Sequence, residues 1–258
     1  MEGRFGIRWY VYGICAALQA HAYAGRWDLA LGEGKEALRI AEEYQDDSLI
    51  TFAMMYMIIV YVLKGDLDCA IALGKKAVQK APTAADRMWS QSFLSLALCR
   101  AGDTEKGIEI LTGILPVFRS GRFRLSEIPA LVFLGEGYWR AGEYDKAKDT
   151  LKEASELAER CDYKFHGAWV QRIMGEIALE TGAIQASSHF ERSMAVFREI
   201  KAENELALAY TGYGKFHKQN GNVSQAREYL EKALEIFERL GTLLEPDKVR
   251  KELAEWSV

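Results

Sequence analysis

Apolar positions along this chain recur at helical spacing, and each such stretch stops at a glycine followed by a short polar or aromatic turn. The segment "AGEYDKAKDTL", residues 141 to 151, carries the form. A glycine is expected to close the helix because a left-handed residue after the last turn has no Cβ to clash. Gly25, Gly65, Gly102, Gly142, Gly182 and Gly221 occupy this place, at intervals of 40, 37, 40, 40 and 39 residues. Five residues later stands a small residue, Ala30, Ala70, Gly107, Ala147 or Ala226, which lets a second helix approach the first. The fifth unit departs, since Ala186 follows Gly182 by only four. The second helix then carries a large and a small residue on one face, as in Leu151 with Ala154, Phe190 with Ser193 and Tyr229 with Ala233. "LITFAMMYMIIVYVL", Leu49 to Leu63, is apolar all round and shorter than the about 18 to 20 residues a membrane span needs, so it is expected to be a buried helix.

A fixed period of this length predicts stacked helix pairs instead of one closed core. The expectation is an all-α, right-handed α-α superhelix (solenoid) forming one domain over residues 1–258. Its six helix pairs lie at about 8–46, 47–84, 85–121, 122–162, 163–202 and 203–240. A capping helix at about 245–257 begins at Pro246, whose fixed φ suits a first turn, and Val249, Leu253 and Trp256 give it one apolar face. No equivalent cover precedes "FGIRWYVYGICAAL", so the chain is expected either to be a fragment of a longer protein or to self-associate through that helix.

The quoted residues resemble the tetratricopeptide repeat. In "LGEGYWRAGEYDKAKDTLKEA" the likeness runs through Leu134, Gly135, Tyr138, Gly142, Tyr144, Ala147 and Ala154; in "YGKFHKQNGNVSQAREYLEKAL" it runs through Gly214, Gly221, Ala226, Tyr229 and Ala233. The third unit matches most loosely, with Ser95, Gly107 and Ile114 at its marker positions. "YLEKALEIFERLGTLLEPDKVRKELAE" is similar to the closing segments of large bacterial proteins that join a class III nucleotide cyclase and a signalling ATPase to a repeat tail. That resemblance implies a regulatory piece without an activity of its own.

Composition narrows the function classes. A net charge of -4 and a pI near 5.7 lack the basic footprint of a nucleic-acid binder, and 49% hydrophobic residues exclude disorder. Four dispersed cysteines, Cys15, Cys69, Cys99 and Cys161, suit buried thiols in a reducing cytosol better than a disulfide framework. No targeting segment and no membrane span are read, and the expected location is cytoplasmic.

No phosphate loop, dinucleotide fingerprint, nucleophile elbow or zinc-protease helix occurs, so neither an enzyme nor a cofactor or metal site is expected. Gly32 with Gly34 and Gly212 with Gly214 fall inside helical runs and are taken as close-packing points. His21 and His217 share one register, four residues before their glycines, where they are expected to fill interhelical gaps. "FRSGRFR", with Arg119, Arg122 and Arg124, is expected to be a solvated basic loop after Pro116 ends its helix.

If first helices line the inner side, counting back thirteen, ten and six residues from each glycine selects the facing residues. The thirteen-back row is Tyr12, Phe52, Trp89, Pro129, Trp169 and Leu208. Ten back lie Cys15, Met55, Ser92, Val132, Arg172 and Thr211; six back lie Gln19, Ile59, Leu96, Glu136, Glu176 and Lys215, with Arg140, Glu180 and Lys218 at the edge. The expected groove residues are Tyr12, Cys15, Gln19, Phe52, Met55, Ile59, Trp89, Ser92, Leu96, Glu136, Arg140, Trp169, Arg172, Glu176 and Lys215. This wall is apolar in the first three pairs and charged in the last three. The function expected is a non-catalytic scaffold that takes a protein or peptide segment, the aromatics acting as anchors. The alternative is a ligand sensor that controls an attached ATPase or cyclase.

Overall fold

All six repeat glycines adopt left-handed backbone, with φ between +71° and +97°, and each closes a helix. At Gly65, whose φ is +89°, the glycine N–H donates to the Val62 carbonyl, and Asp66 N–H reaches back to Tyr61 at 2.8 Å. The same reach-back bond runs from Asp103 to Leu98 and from Glu143 to Tyr138. In a computed structural model that describes residues 2–255, thirteen helices and no strands form among the described residues. They are α1 (Glu2–Tyr23), α2 (Trp27–Glu43), α3 (Asp47–Lys64), α4 (Leu67–Lys80), α5 (Ala84–Arg100), α6 (Thr104–Ser120) and α7 (Arg124–Arg140), followed by α8 (Tyr144–Arg160), α9 (Lys164–Glu180), α10 (Ala186–Glu199), α11 (Glu203–Gln219), α12 (Val223–Leu240) and α13 (Glu245–Ala254).

A second left-handed turn, absent from the sequence reading, links each pair to the next. Gln45, Arg122, Asp162, Lys201 and Gly241 hold φ between +51° and +70°, nineteen or twenty residues after a repeat glycine. Four of these are not glycine, so the signal was silent in the sequence. The second pair lacks this turn. There α4 has only 14 residues and stops at Ala81 before Pro82, and the Thr83 hydroxyl accepts from Asp86 N–H to start α5. That shortening accounts for the 37-residue interval. The missing residue after Gly182 likewise leaves Ala186 buried where Ala147 and Ala226 sit in their own pairs.

The chain divides into two compact units, residues 1–117 and 118–258, and the division falls within α6. In the first, α3 packs on α1, α2, α4 and α5. By length and apolarity α3 could cross a membrane, but 67% of it is buried, with Met54, Ile58 and Val60 fully enclosed. The second unit is centred on α9, which packs on α7, α8, α10 and α11. Its core is aromatic: Trp169 lies 5.8 Å from Phe133 and 5.6 Å from Phe165, and Phe165 lies 6.0 Å from Phe197. The Pro246-started α13 packs on α12 with Val249 fully buried, whereas Trp256 lies outside the described residues.

Three expectations are corrected. Pro116 does not end a helix: α6 continues through it to Ser120, with Leu115 and Phe118 buried on either side, and their burial offsets the lost backbone donor. Cys69 and Cys161 are exposed; only Cys15 and Cys99 are buried, and burial pushes the Cys15 thiol up to about 12. Of the paired helix glycines, Gly34, Gly212 and Gly214 meet neighbouring side chains, but a Cβ at Gly32 would touch nothing within 4 Å.

Gly107 is the tightest approach that includes backbone, since a Cβ there would lie 2.8 Å from the Ser95 carbonyl and 2.3 Å from Cys99 Sγ. Gly107→Ala is therefore expected to destabilise the protein by about 1–3 kcal/mol through overpacking. Gly32→Ala, on open helix surface, should raise stability by about 0.5–1 kcal/mol. Thermal or urea denaturation of the two variants checks both signs.

Candidate functional site

Within each unit the first helix of a pair packs on the first helix of the next: α1 on α3 and α3 on α5, then α7 on α9 and α9 on α11. Among the described residues the second helices show at most marginal contact with one another. The first helices thus form the more closely spaced layer, and their solvent-facing stripes are the candidate contact surface.

In the first unit that stripe is aromatic. Tyr12 and Phe52 meet edge-on at 4.8 Å, Phe52 and Tyr56 lie 4.9 Å apart, and Trp9 packs 6.0 Å from Tyr12. Tyr12, Phe52, Tyr56, Trp89 and Phe93 are all half-buried. Gln19 is also half-buried and donates to the Tyr23 hydroxyl at 2.9 Å. By contrast Cys15, Met55, Ile59, Ser92 and Leu96 are buried. The stripe follows positions thirteen and nine before the glycine, while the ten-back and six-back rows turn into neighbouring helices. Tyr56 and Phe93 were missed for that reason; extending the same register by one helical turn from Phe52 and Trp89 would have found them.

In the second unit the same rows carry charge, part of it interior. Glu136 on α7 is fully buried. It accepts from Arg140 Nε at 2.9 Å and from Trp169 Nε1 at 2.8 Å, and Arg172 Nη2 stands 3.9 Å away. Arg172, 3% exposed, also faces Glu205 of α11, with Nε 3.3 Å from Oε2. Neither Arg172 Nε and Nη2 nor the two Glu205 oxygens make a hydrogen bond there. Burial pushes the half-buried Glu176 carboxyl up, a push opposed by Arg172, Lys215 and Arg140 and assisted by Glu180. Lys215 pairs with Glu252 of α13 at 3.7 Å and Lys218 donates to it at 3.2 Å, so the capping helix contributes an acid that the sequence reading had not assigned.

Eight of the fifteen expected groove residues are thus interior: Cys15, Met55, Ile59, Ser92, Leu96, Glu136, Trp169 and Arg172. Tyr12, Gln19, Phe52, Trp89, Arg140, Glu176 and Lys215 keep atoms at the surface. The physical reason is that neighbouring first helices approach closely enough to enclose the faces that point at each other. The basic loop is exposed, as expected, and Arg119 and Arg124 in addition pair with buried Glu127, at 3.7 and 2.6 Å, and Arg119 with Glu153. Of the two histidines in one register, His217 lies between Tyr213 and Tyr229, whereas His21 approaches Glu33 at 3.3 Å.

Comparison with known proteins bears on this architecture. Residues 86–160 match one family model of the tetratricopeptide repeat, and residues 207–239 match another. These matches support the tetratricopeptide-repeat family. The third pair, loosest by sequence, lies inside the first tetratricopeptide match. Among solved structures, a Rap protein complexed with Competence and Sporulation Factor is 14% identical, with a TM-score of 0.67, covering 95% of this chain and 76% of its own. BtubC (BKLC) from P. vanneervenii is 16% identical, with a TM-score of 0.58, covering 80% of this chain and 88% of its own. At these identities the likeness is one of fold. No curated protein matches the chain.

The burial of Trp169 makes it a core residue. Trp169→Ala is expected to cost about 3–5 kcal/mol and to leave the Glu136 carboxylate short of a donor. Trp169→Phe should cost less, and equilibrium denaturation of the pair separates packing from the hydrogen bond. Burial also lowers His166 from 6.5 to about 4, so the folded protein holds it neutral. Unfolded chain binds the proton first, so this stabilisation is complete above pH 6.5 and is lost as pH falls toward about 4, a total of about 3 kcal/mol. Stability measured across that window should fall less steeply in His166→Phe.

Proposed function

We propose that this protein is a non-catalytic interaction scaffold whose first helices hold a peptide or protein segment. The observation that carries the reading is the half-buried aromatic stripe on α1, α3 and α5, with Tyr12, Phe52, Tyr56, Trp89 and Phe93 side by side on the layer where first helices meet. Aromatic side chains of this kind supply large contact area at little entropic cost, and they dominate interface energetics where they cluster. Repeat proteins use such extended surfaces for binding. Further support comes from the Rap neighbour, which was solved with a bound factor and aligns with 95% of this chain. The reading includes a regulatory place in a longer signalling protein, motivated by the closing phrase from Tyr229 to Glu255.

Selection of a displayed random-peptide library on the full chain tests this. Enrichment of a common sequence is expected, and Trp89→Ala should weaken its binding by about 2 kcal/mol, near thirtyfold, with little change in melting temperature. Failure to enrich any sequence would remove the scaffold reading. Loss of binding accompanied by a large drop in melting temperature would remove Trp89 from the contact surface.

A further inference from the structure

Glu127 and Gly167 hold one register, fifteen residues before Gly142 and Gly182, but they leave the space above them in opposite states. Glu127 on α7 is buried and pairs with Arg119 and Arg124, and Arg119 goes on to pair with Glu153 of α8. Those side chains fill the gap beside α8. On α9 the same place is a half-buried glycine, and a Cβ there would meet only the Ala158 methyl, at 3.9 Å. Packing among the described residues does not demand a glycine at that point, although glycine is the poorer helix former. What results is a groove of about 510 Å³ between α8 and α10, with Gly167, Ala168 and Gln171 on its floor.

The walls of this groove also reverse the charges of the filled gap. Glu159 of α8 stands where Arg119 does, seventeen residues after its glycine, and Arg192 of α10 stands where Glu153 does, six after its buried alanine. Arg119 and Glu153 bond to each other, whereas Glu159 and Arg192 enter no ion pair among the described residues. Charge is further divided along the groove. Lys164 and Gln171 on α9, like Glu199 and Arg192 on α10, are seven residues apart, which on a helix is about 10 Å. At one end lie Glu159, Asp162 and Glu199 around a single cation, Lys164, which is bonded to Glu199 at 2.7 Å. At the other end stand Arg192 and Gln171. His189 Nδ1 donates to Gln171 Oε1 at 2.8 Å, so the Gln171 amide N–H groups are left for the groove.

We infer that this groove binds an extended segment of a second protein that carries a basic and an acidic residue three positions apart. The basic side chain meets Glu159 and Asp162, and the acidic one accepts hydrogen bonds from Arg192 and Gln171. Three residues of extended chain cover about 10 Å, the separation of the two ends. The side chains between them have the room over Gly167, with half-buried Val196 as apolar surface. Opposite charges at the two ends select the partner and fix its direction in the groove. The inference does not rest on the aromatic stripe, which is built on α1, α3 and α5.

The test uses synthetic heptapeptides with the second and fifth positions fixed as one Lys and one Glu in either order, as two Lys, as two Glu or as two Ala. The other positions are randomised among uncharged residues, and retention is measured on the immobilised full chain. The mixed set should be retained at least about tenfold better than the alanine set, roughly the scale of one charge-assisted bond, and better than either like-charged set. Gly167→Leu fills the floor and should erase that preference without lowering the melting temperature, since Leu206 already occupies this register on α11. Arg192→Gln, at an exposed position, should erase it too, while Lys106→Gln, an exposed cation on α6, should leave it intact. Retention of a like-charged set as strong as the mixed set, no difference among the sets, survival of the preference in either groove variant, or its loss in Lys106→Gln would each overturn the inference. None of these outcomes bears on the aromatic stripe, which the random-peptide selection and Trp89→Ala judge separately.

Discussion

The structure depends on how closely two helices can approach at one small residue. Ala30, Ala70, Ala147, Ala186 and Ala226 are essentially inaccessible to solvent, and at Gly107 even a methyl group would strike the Ser95 carbonyl. A helix pair of this size cannot bury its apolar faces alone, so it is held by the pair beside it. The left-handed glycine sets the angle of each hairpin, and the small residue sets its depth. Together they determine which face of the first helix meets the next first helix and which face remains for solvent.

That geometry has opposite consequences in the two units. In the first, apolar rows pack into one another and leave aromatic rings half-exposed beside them. In the second, the same rows carry Glu136 and Arg172, and Glu205 of α11 faces Arg172, so ions are enclosed where side chains are otherwise apolar. Enclosing them costs desolvation that ion pairing offsets only in part. The Trp169 N–H and the Arg140 guanidinium complete the surroundings of Glu136, but Glu205 has no equivalent donor. Apolar residues of similar volume would make a simpler core.

The capping helix belongs to the same surface. Glu252 of α13 lies against Lys215 and Lys218 of α11, so the last helix neutralises the lysines next to the Glu176 carboxyl. Lys215 also acts on Glu176, so one lysine serves acids on both sides of it.

The amino-acid sequence by itself determined the helices, their pairing and the repeat period, because glycine at left-handed positions and small residues at helix crossings are local chemical requirements. It also located the first-helix rows. It did not reveal the left-handed turns at Gln45, Arg122, Asp162 and Lys201, whose side chains give no such signal, nor that α6 runs on through Pro116. Tertiary structure alone decided which row faces water. A rotation of one helical step separates the half-buried Phe52 and Tyr56 from the buried Met55 and Ile59, and that rotation is set by how neighbouring helices seat against each other, which no single helix encodes.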